Sequence, residues 1–385
     1  MMIEQEHNNV QWKKVKLGDV CAPSSEKYNP LTENDFSSCI EMENINQESG
    51  TINGKSDITK LLSLKNKFHK GEVLYGKLRP YLRKYWLSDC EGACSTEIWV
   101  LKSAEGIDNQ FLFYLFQSDF INKIANLSSG TKMPRADWAF MKNQQLFIPF
   151  KNNKPDLSAQ RRIAAILSSA DKVIAATQKT IAKYKQMKQG MMEDLLKPKD
   201  GWKMVKLGEV GEIVTGSTPT TTKAEYWDGE YNFYSPVDFG ENVYCTKTDR
   251  TITAAGMKTG RPVPANSIMV ACIASIGKIA INRTEGITNQ QINTIIPNDD
   301  YNFIFLYYLL SLNVEKIKGK AAQTTIPIIN KEDFSNLEFS VPVLAEQRRI
   351  AAILSGIDAK IAAEEKVLEK YEKVKKGLME KLLNE

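Results

Sequence analysis

The chain has 385 residues, of which 42% are hydrophobic and 25% charged, and its formal net charge at pH 7 is +5. This composition is typical of a chain that buries two or three cores, and the charge permits a nucleic-acid partner without indicating one. No apolar run has the length of a membrane span and residues 1–9 are too polar for a signal peptide, so we expect a cytoplasmic protein without a membrane partner.

The six cysteines are scattered, and only Cys90 and Cys94 lie close together in the sequence. The only histidines are His7 and His69. Because a zinc site usually needs two close cysteine pairs or histidine ligands, we expect reduced thiols and no metal site.

The first predicted element is a short opening segment that occurs twice. Residues 12–20 read WKKVKLGDV and residues 202–210 read WKMVKLGEV. The distance between the copies is much longer than the period of a solenoid repeat, so the segment opens two separate domains.

Each opening segment precedes a head whose two copies have diverged. Short runs rich in β-branched residues alternate with turn residues, and one longer helical pattern follows in each head. These patterns predict a mixed α/β (α+β) head with a mainly antiparallel or mixed sheet. The predicted strands are 73–75, 98–101, 268–273 and 292–296, and the predicted helices are 110–126 and 301–318.

A basic loop in the first head interleaves cations with aromatic residues, since residues 75–86 read YGKLRPYLRKYW. Lysine neutralises phosphate and arginine can bind a guanine edge through two N–H groups, so this pattern favours a DNA contact. The alternative is that the aromatic residues belong to the core and the cations are only solvated. The candidate cations are Lys77, Arg79, Arg83 and Lys84, and the aromatic residues are Tyr75, Tyr81, Tyr85 and Trp86.

A second loop, residues 128–135 (SSGTKMPR), adds Lys132 and Arg135 beside hydroxyl groups that suit phosphate contact. Residues 323–327 (QTTIP) match it in the second head, with Thr324 and Thr325 as the candidates there. The second head has dispersed cations, of which Arg261 and Lys278 are further DNA-binding candidates.

A long helix is predicted after each head. Residues 160–168 and 347–355 both read QRRIAAILS, and the similarity continues to Leu196 and Leu383. Apolar positions alternate at steps of four and three over more than four heptads, which is typical of a coiled-coil seam in a helix roughly 55 Å long. Ser158 is a plausible N-cap. The seam comprises Ile163, Leu167, Ile174, Thr177, Ile181 and Tyr184, then Ile350, Leu354, Ile361, Glu364, Leu368 and Tyr371, with Lys188 and Lys375 at matched polar positions.

The two long helices are expected to run antiparallel. Only a short linker separates Leu196 from Trp202, so the second head follows the far end of the first helix. The second seam can meet the first only by running back along it, which predicts a pseudo-twofold internal repeat. The expected domains are residues 1–157 (first head), 158–200 (first helix and linker), 201–344 (second head) and 345–385 (second helix).

Known catalytic and nucleotide-binding motifs do not match the sequence. Residues 50–56 (GTINGKS) have three residues between their glycines, where a Walker A loop needs four. The sequence also has no Asn-Pro-Pro-aromatic tetrad for amino methylation and no glycine-rich nucleotide fingerprint after a strand. We therefore expect a chain without an active site of its own.

The paired opening segments, the paired QRRIAAIL helix starts and the order head, helix, head, helix resemble the specificity (S) subunits of type I restriction-modification systems. The resemblance covers nearly all of the chain. It implies that each head is a target recognition domain that reads one half of a bipartite site in double-stranded DNA. By the same resemblance, Lys77, Arg79, Arg83, Lys132, Arg135, Lys278, Thr324 and Thr325 lie in regions that face DNA.

The resemblance also implies partners. The helix pair is expected to set the spacer between the half-sites and to dock two modification subunits, which carry S-adenosylmethionine. Restriction subunits supply ATP and Mg²⁺ chemistry, so no cofactor is expected in this chain.

Two other functions remain open. One is a coiled-coil scaffold whose heads bind protein partners, which would show no steep salt dependence in a DNA-binding assay. The other is a self-sufficient enzyme, which would methylate or cleave DNA alone.

Overall fold

The computed structural model describes residues 11–58, 63–127, 133–321 and 327–383. The chain divides into two compact units, of which unit 1 is Met1–Gln178 with Lys366–Glu385 and unit 2 is Lys179–Glu365. The predicted domains instead separate each head from the long helix that follows it. The boundaries of the two units fall within the long helices, so each unit contains one head together with segments of both helices.

Unit 1 begins with a head of short strands and helices. Its strands are β1 Gln11–Lys16, β2 Cys21–Pro23, β3 Lys27–Tyr28, β4 Ser38–Ile40, β5 Ser56–Asp57, β6 Lys65–Phe68, β7 Val73–Gly76, β8 Tyr85–Leu87, β9 Gly92–Cys94, β10 Ile98–Ser103, β11 Gln145–Lys151 and β12 Lys154–Pro155. Its helices are α1 Leu17–Val20, α2 Asn109–Gln117, α3 Asp119–Asn126 and α4 Trp138–Met141, followed by the long helix α5 Leu157–Leu195 that continues into unit 2.

These strands form three sheets, with orders β1-β11-β12, β2-β10-β7-β8 and β3-β6-β9-β4-β5. The pairs are antiparallel except β4 with β9, so the prediction of a mainly antiparallel or mixed sheet is confirmed. Strand β7 is buried along its whole length and lies between β10 and β8, as expected for an apolar run.

Unit 2 repeats this arrangement with different loops. Its strands are β13 Lys203–Lys206, β14 Gly211–Thr215, β15 Trp227–Tyr234, β16 Tyr244–Cys245, β17 Arg250–Ile252, β18 Pro262–Val263, β19 Ile268–Ala271, β20 Ile279–Asn282, β21 Gly286–Thr288, β22 Ile292–Pro297 and β23 Glu338–Val341. Its helices are α6 Leu207–Val210, α7 Ala254–Met257, α8 Phe303–Leu312, α9 Val314–Lys318 and α10 Lys331–Ser335, followed by the long helix α11 Leu344–Leu383 that continues into unit 1. The sheet orders are β13-β23, β14-β22-β19-β20-β16 and β17-β15-β21-β18.

The repeated opening segment forms the same local structure in both units. Strand β1 pairs antiparallel with β11, and β13 pairs in the same way with β23, so each opener lies beside the strand that leads into a long helix. The acidic residue of the motif then caps the short helix that follows. The Asp19 carboxylate accepts the N–H of Lys16 at 3.2 Å, and the Glu209 carboxylate accepts the N–H of Lys206 at 2.9 Å.

Each of the predicted head helices is two helices in the structure. Ser118 separates α2 from α3 with an extended backbone, and its hydroxyl caps α3 by accepting the N–H of Ile121 at 3.3 Å. Asn313 separates α8 from α9. The continuous helices predicted over 110–126 and 301–318 are therefore wrong at these two residues.

The helix segments run antiparallel within each unit. In unit 1, Leu382 shares a core with Ile163 and Leu167, whereas Lys375 lies beside Asp171, so residue numbers rise along one segment as they fall along the other. In unit 2, Leu196 shares a core with Ile350 and Leu354, and Lys188 lies beside Asp358. The predicted antiparallel arrangement is present in both units.

Burial follows the predicted seam in most places. Tyr371 departs from it, because 40% of its surface is exposed and it lies on the outer face of α11. Ile174, Tyr184, Glu364 and Leu368 are half-buried. The buried members are Ile163, Leu167, Thr177, Ile181, Ile350, Leu354 and Ile361.

The first long helix starts one residue earlier than the predicted N-cap. One oxygen of the Asp156 carboxylate accepts the N–H groups of Ser158 at 3.0 Å and Ala159 at 3.1 Å. Asp156 is therefore the N-cap, and the prediction of Ser158 in that role is wrong. A carboxylate here also interacts favourably with the positive end of the helix dipole.

Within the described ranges, none of the helices combines the length and the apolar composition needed to cross a membrane. The same residues contain no cluster of three or more histidine, cysteine, aspartate or glutamate side chains that could hold a metal ion.

Candidate nucleic-acid interface

The first head joins its two predicted DNA-binding loops through backbone contacts. The loop between β7 and β8, residues 77–84, is called here the tip loop. Its Leu78 forms an antiparallel bridge with Arg135 of the second loop. The N–H of Arg79 donates to the carbonyl of Pro134 at 2.7 Å, and the N–H of Ala136 donates to the carbonyl of Lys77 at 2.8 Å. The tip loop and residues 134–136 are therefore joined into one continuous backbone feature.

The second head has the same junction, with a proline carbonyl at the matching position and different residues around it. Its tip loop, residues 272–278, lies between β19 and β20, and Ile273 forms the antiparallel bridge with Ile328. The N–H of Ala274 donates to the carbonyl of Pro327 at 3.2 Å, and the N–H of Ile329 donates to the carbonyl of Cys272 at 2.9 Å. The two tip loops are thus structural equivalents.

The residue at the equivalent position of each tip loop has a left-handed backbone. Its φ is 51° at Arg79 and 58° at Ala274. Non-glycine residues rarely adopt this conformation, so the surrounding contacts must hold it. Arg79 is exposed, and the same backbone site therefore presents a cation in the first head and a methyl group in the second.

Three of the predicted DNA-binding cations in the first head are held by protein contacts. The Arg83 guanidinium donates to the carboxylate of Asp119 at 2.6 Å and also to the carbonyl of Gln117. Lys84 donates to the carbonyl of Met42 at 2.6 Å. Arg135 forms two parallel hydrogen bonds with Glu97, at 2.9 and 3.1 Å. The charges of Arg83 and Arg135 are therefore partly neutralised by carboxylates, and Lys84 is held by a backbone carbonyl.

Lys77 and Arg79 differ from this group. Across residues 11–58, 63–127, 133–321 and 327–383, neither side chain makes a hydrogen bond or an ion pair. Lys77 is half-buried and Arg79 is exposed. Of the predicted cations that the structure describes in the first head, these two are the most available to a phosphate or a base.

The aromatic residues of the same stretch mostly belong to the core. Tyr75, Tyr85 and Trp86 are 2%, 3% and 5% exposed, whereas Tyr81 is 51% exposed. Burial raises the pKa of the Tyr75 and Tyr85 hydroxyls above their ordinary value. The alternative interpretation of the aromatic pattern is therefore correct for three of its four residues.

The predicted cations of the second head also contact its backbone. Arg261 donates to the carbonyl of Thr215 at 2.6 Å, and Lys278 donates to the carbonyl of Pro236 at 3.3 Å. Lys278 precedes β20 as Lys84 precedes β8, so the two lysines occupy equivalent positions at the ends of the tip loops. Lys132, Thr324 and Thr325 lie outside the described residues.

Two exposed arginines of the second head were missed by the sequence analysis. The Arg250 guanidinium lies 3.6 Å from the ring centroid of Trp227, and that of Arg283 lies 3.6 Å from the ring centroid of Tyr244. Such stacking orients a guanidinium while leaving its N–H groups available to a ligand. Each aromatic partner is distant in sequence, so no local spacing indicated these pairs.

A cavity of about 870 Å³ lies in unit 1 between the head and the helix segments. Its lining combines cations such as Arg83 and Lys172 with the carboxylates of Glu48 and Asp119. Because both signs of charge line it, the cavity lacks the uniformly positive wall of a groove that follows a phosphate backbone.

The comparisons with known proteins agree with this two-fold repeat. The model of the type I restriction modification DNA specificity domain matches residues 9–186 and again residues 199–373. The specificity subunit of the type I restriction enzyme MjaIX of Methanocaldococcus jannaschii is 33% identical over 183 residues, which are 46% of this chain and 42% of that protein. The EcoR124I/EcoR124II specificity subunit of Escherichia coli is 28% identical over 221 residues, 54% of each chain. The chain thus spans about half the length of these curated relatives.

Solved structures show the same fold. A chain from a type I R-M system, studied for complex assembly and conformational transition, has a TM-score of 0.64 and 22% identity, and the match covers 97% of this chain and 98% of that one. The S subunit of a type I restriction-modification system from M. genitalium has a TM-score of 0.63 and 16% identity, with 98% and 97% covered. Since the two matches to the family model span most of the chain, the protein belongs to the family of type I restriction modification DNA specificity domains, and it carries two copies of that domain.

Proposed function

We propose that the chain is the DNA-recognition subunit of a type I restriction-modification complex. Each head reads one half of a bipartite site, and the paired helices set the spacer. The observation that carries this proposal is the repeated tip loop, which has the same backbone junction in both heads and different side chains. A duplicated domain with unlike loops suits a site with two unlike halves.

The side chains of the two tip loops differ, which supports recognition of different base sequences by the two heads. The first head offers Lys77 and Arg79, whereas Cys272 and Ala274 occupy the equivalent sites of the second head. The second head instead offers its two stacked arginines, which lie outside the residues of its tip loop. Arginine can hydrogen-bond a guanine edge through two N–H groups, so these differences favour different half-sites.

The long helices expose apolar side chains that support docking of two modification subunits. Exposed apolar side chains on these helices include Val173, Met187, Val367, Tyr371 and Val374, which are between 38% and 52% exposed. Apolar residues exposed in series on a helix mark a protein interaction surface. In this proposal the modification subunits carry S-adenosylmethionine, restriction subunits supply ATP and Mg²⁺ chemistry, and the complex acts in the cytoplasm. The chain itself performs no chemical step.

The test is DNA binding and methylation by the chain co-expressed with its modification subunit. Sequencing of the modified adenines in the host DNA is expected to give one motif with two defined halves and a fixed gap. Affinity for that motif is expected to fall steeply with salt, since phosphate contacts release counterions. Binding without salt dependence and without a motif indicates the protein scaffold instead, and methylation by the chain alone indicates a self-sufficient enzyme.

Substitution of the exposed tip residue sharpens this test. Arg79→Ala in the first head is expected to change one half of the motif and leave the other half unaltered. Lys373→Met, an exposed change on α11, is the control and is expected to leave both halves unaltered. A change in both halves with Arg79→Ala contradicts the assignment of one half-site to each head.

A further inference from the structure

Each unit contains a carboxylate that joins three separate helices. In unit 1, the two oxygens of Asp171 accept from the Tyr114 hydroxyl at 2.7 Å and contact the Lys375 ammonium at 2.6 Å. Tyr114 lies on α2 of the head, Asp171 on α5 and Lys375 on α11. We call this group lock 1.

The same group recurs in unit 2. The oxygens of Asp358 accept from the Tyr308 hydroxyl at 2.6 Å and contact the Lys188 ammonium at 2.7 Å. Tyr308 lies on α8 of the head, Asp358 on α11 and Lys188 on α5. This group is lock 2, and the two long helices exchange roles between the locks.

In both locks the lysine also lies over the tyrosine ring. The distance from Nζ to the ring centroid is 5.8 Å for Lys375 over Tyr114 and 5.4 Å for Lys188 over Tyr308. The tyrosines are 2% and 1% exposed, and the lysine side chains are 14% and 23% exposed. A lysine removed this far from water needs its carboxylate, because an unpaired charge in such a place is strongly destabilising.

The sequence of the first helix makes lock 1 selective for one register. Asp171 is the only carboxylate between residues 157 and 192. A slide of the helices by one heptad would place Lys375 opposite Ala164 or Gln178, and neither can neutralise the ammonium. Polar groups at seam positions select one register of a coiled coil in this way, at some cost in stability.

The head is tied to the same carboxylate. The hydroxyl of Tyr114 reaches Asp171 from α2, and Gln117 on the same helix accepts a hydrogen bond from Lys375 at 3.0 Å. A change in helix register therefore breaks the contacts of the head as well as those between the helices. The lock couples the axial position of the helices to the orientation of the head.

We propose that the Tyr–Asp–Lys locks are positioning devices that hold the gap between the two half-sites to one length. This inference rests on the proposed function, because it concerns the accuracy of a spacer and not DNA binding itself. The residues of the locks contact neither base nor phosphate in this proposal. They act through the register of the helices and the orientation of each head.

The experiment uses the complex with modification subunits and a plasmid library in which the two half-sites are separated by gaps of different lengths. The wild-type complex is expected to modify one gap length. In the double variant Asp171→Asn with Asp358→Asn, the preference for that gap over gaps one base pair longer or shorter is expected to fall about tenfold or more, as loss of charge-assisted hydrogen bonds would produce. The half-site sequences are expected to stay the same.

Conservative variants separate positioning from folding. Lys375→Arg with Lys188→Arg keeps both charges and is expected to retain the wild-type gap. Tyr114→Phe with Tyr308→Phe keeps both rings in the core and is expected to broaden the gap, which also provides the test if the asparagine variants do not fold. The control Lys373→Met changes an exposed lysine that pairs with Glu369 on the same helix, and it is expected to leave the gap unaltered.

The outcomes distinguish the two proposals. A wild-type complex that modifies no bipartite motif overturns both the proposed function and this inference. A wild-type complex with one gap length, together with folded lock variants that keep that same gap, overturns this inference alone. A broadened gap with unaltered half-sites supports it.

Discussion

The side chain of Gln160 holds the backbone of the head at Asp108. Its Oε1 accepts the N–H of Asp108 at 2.8 Å and its Nε2 donates to the carbonyl of Gly106 at 3.0 Å. Gln347, in the first turn of the second long helix, makes the matching contact, since its Oε1 accepts the N–H of Asn302 at 2.9 Å. Asp108 and Asn302 are the N-caps of α2 and α8, so each glutamine fastens a long helix to the helix of its own head.

Gln160→Ala is expected to lower the free energy of unfolding by about 1–3 kcal/mol, because it leaves two backbone groups of the head without their partner. Gln160 is fully buried, so water cannot replace the amide. Urea unfolding followed by circular dichroism measures the change. The matched control is Gln186→Ala on the exposed face of the same helix, and equal midpoints for the two variants would contradict the role of Gln160.

Arg79 and Arg83 are expected to respond in opposite ways to substitution. Arg79→Gly removes an exposed cation and suits the left-handed backbone, so stability is kept or raised by up to about 1 kcal/mol. The slope of log K against log salt for DNA binding is expected to fall by about 1. Mobility shifts at several salt concentrations measure this slope.

Arg83→Ala is the partner experiment. It removes the donors to Asp119 and Gln117, so we expect the free energy of unfolding to fall by about 1–3 kcal/mol. Urea unfolding measures the loss. If Arg79→Gly destabilised the chain and Arg83→Ala only weakened DNA binding, the division between available and structural cations would be wrong.

Asp156→Ala is expected to destabilise the chain by about 0.5–2 kcal/mol, since it removes the cap of α5. Ser158→Ala changes an exposed residue in the first turn of the same helix and is expected to shift stability by less than about 0.5 kcal/mol. Thermal unfolding of both variants measures the difference. A larger effect from Ser158→Ala would restore Ser158 as the cap.

The six cysteines are free thiols with unequal access to solvent. Cys90 is half-buried and the other five are buried, so we expect one fast-reacting thiol with a disulfide reagent at pH 8 and six in denaturant. Cys90→Ser should abolish the fast phase. Fast reaction of two or more thiols in the folded Cys90→Ser variant would show that the cores open readily.

The same cysteines contribute to the alkaline side of the stability profile. Burial raises the pKa of Cys272 from 9.0 to about 12 and that of Cys245 to about 11. The unfolded chain releases these protons at a lower pH than the folded chain does. The contribution of these thiols to the free energy of unfolding is therefore fully present below pH 9 and decreases as the pH rises above it. Urea midpoints between pH 8 and pH 11 measure this decrease, and a constant midpoint across that range would contradict it.

Local patterns in the sequence predicted the helices and strands that depend on spacing. The four-and-three spacing predicted α5 and α11, and the apolar runs predicted β7, β10, β19 and β22. The breaks at Ser118 and Asn313 were not predicted, because a single residue that caps one helix and ends another leaves the apolar pattern unchanged. Asp156 was passed over for Ser158 because both residue types cap helices and only the backbone decides between them.

The sequence could not predict which cations contact other protein groups and which are available to DNA. Each of three arginines contacts a partner that is distant in the sequence. The pairs are Arg83 with Asp119, Arg135 with Glu97, and Arg250 with Trp227. The matched lysines of the seam were visible as polar interruptions, but their pairing with Asp171 and Asp358 was not.

The sequence by itself determined that the chain is a duplication, that each copy ends in a long amphipathic helix, and that the helices run antiparallel. These properties follow from repeated residues, from apolar spacing and from a linker too short for any other connection. Only the tertiary structure decided which cations are available to DNA, which residues cap the helices and which carboxylates neutralise the seam lysines. The physical reason is that periodicity is a property of neighbouring residues, whereas the pairing of a charge depends on which distant group folding brings within a few ångströms of it.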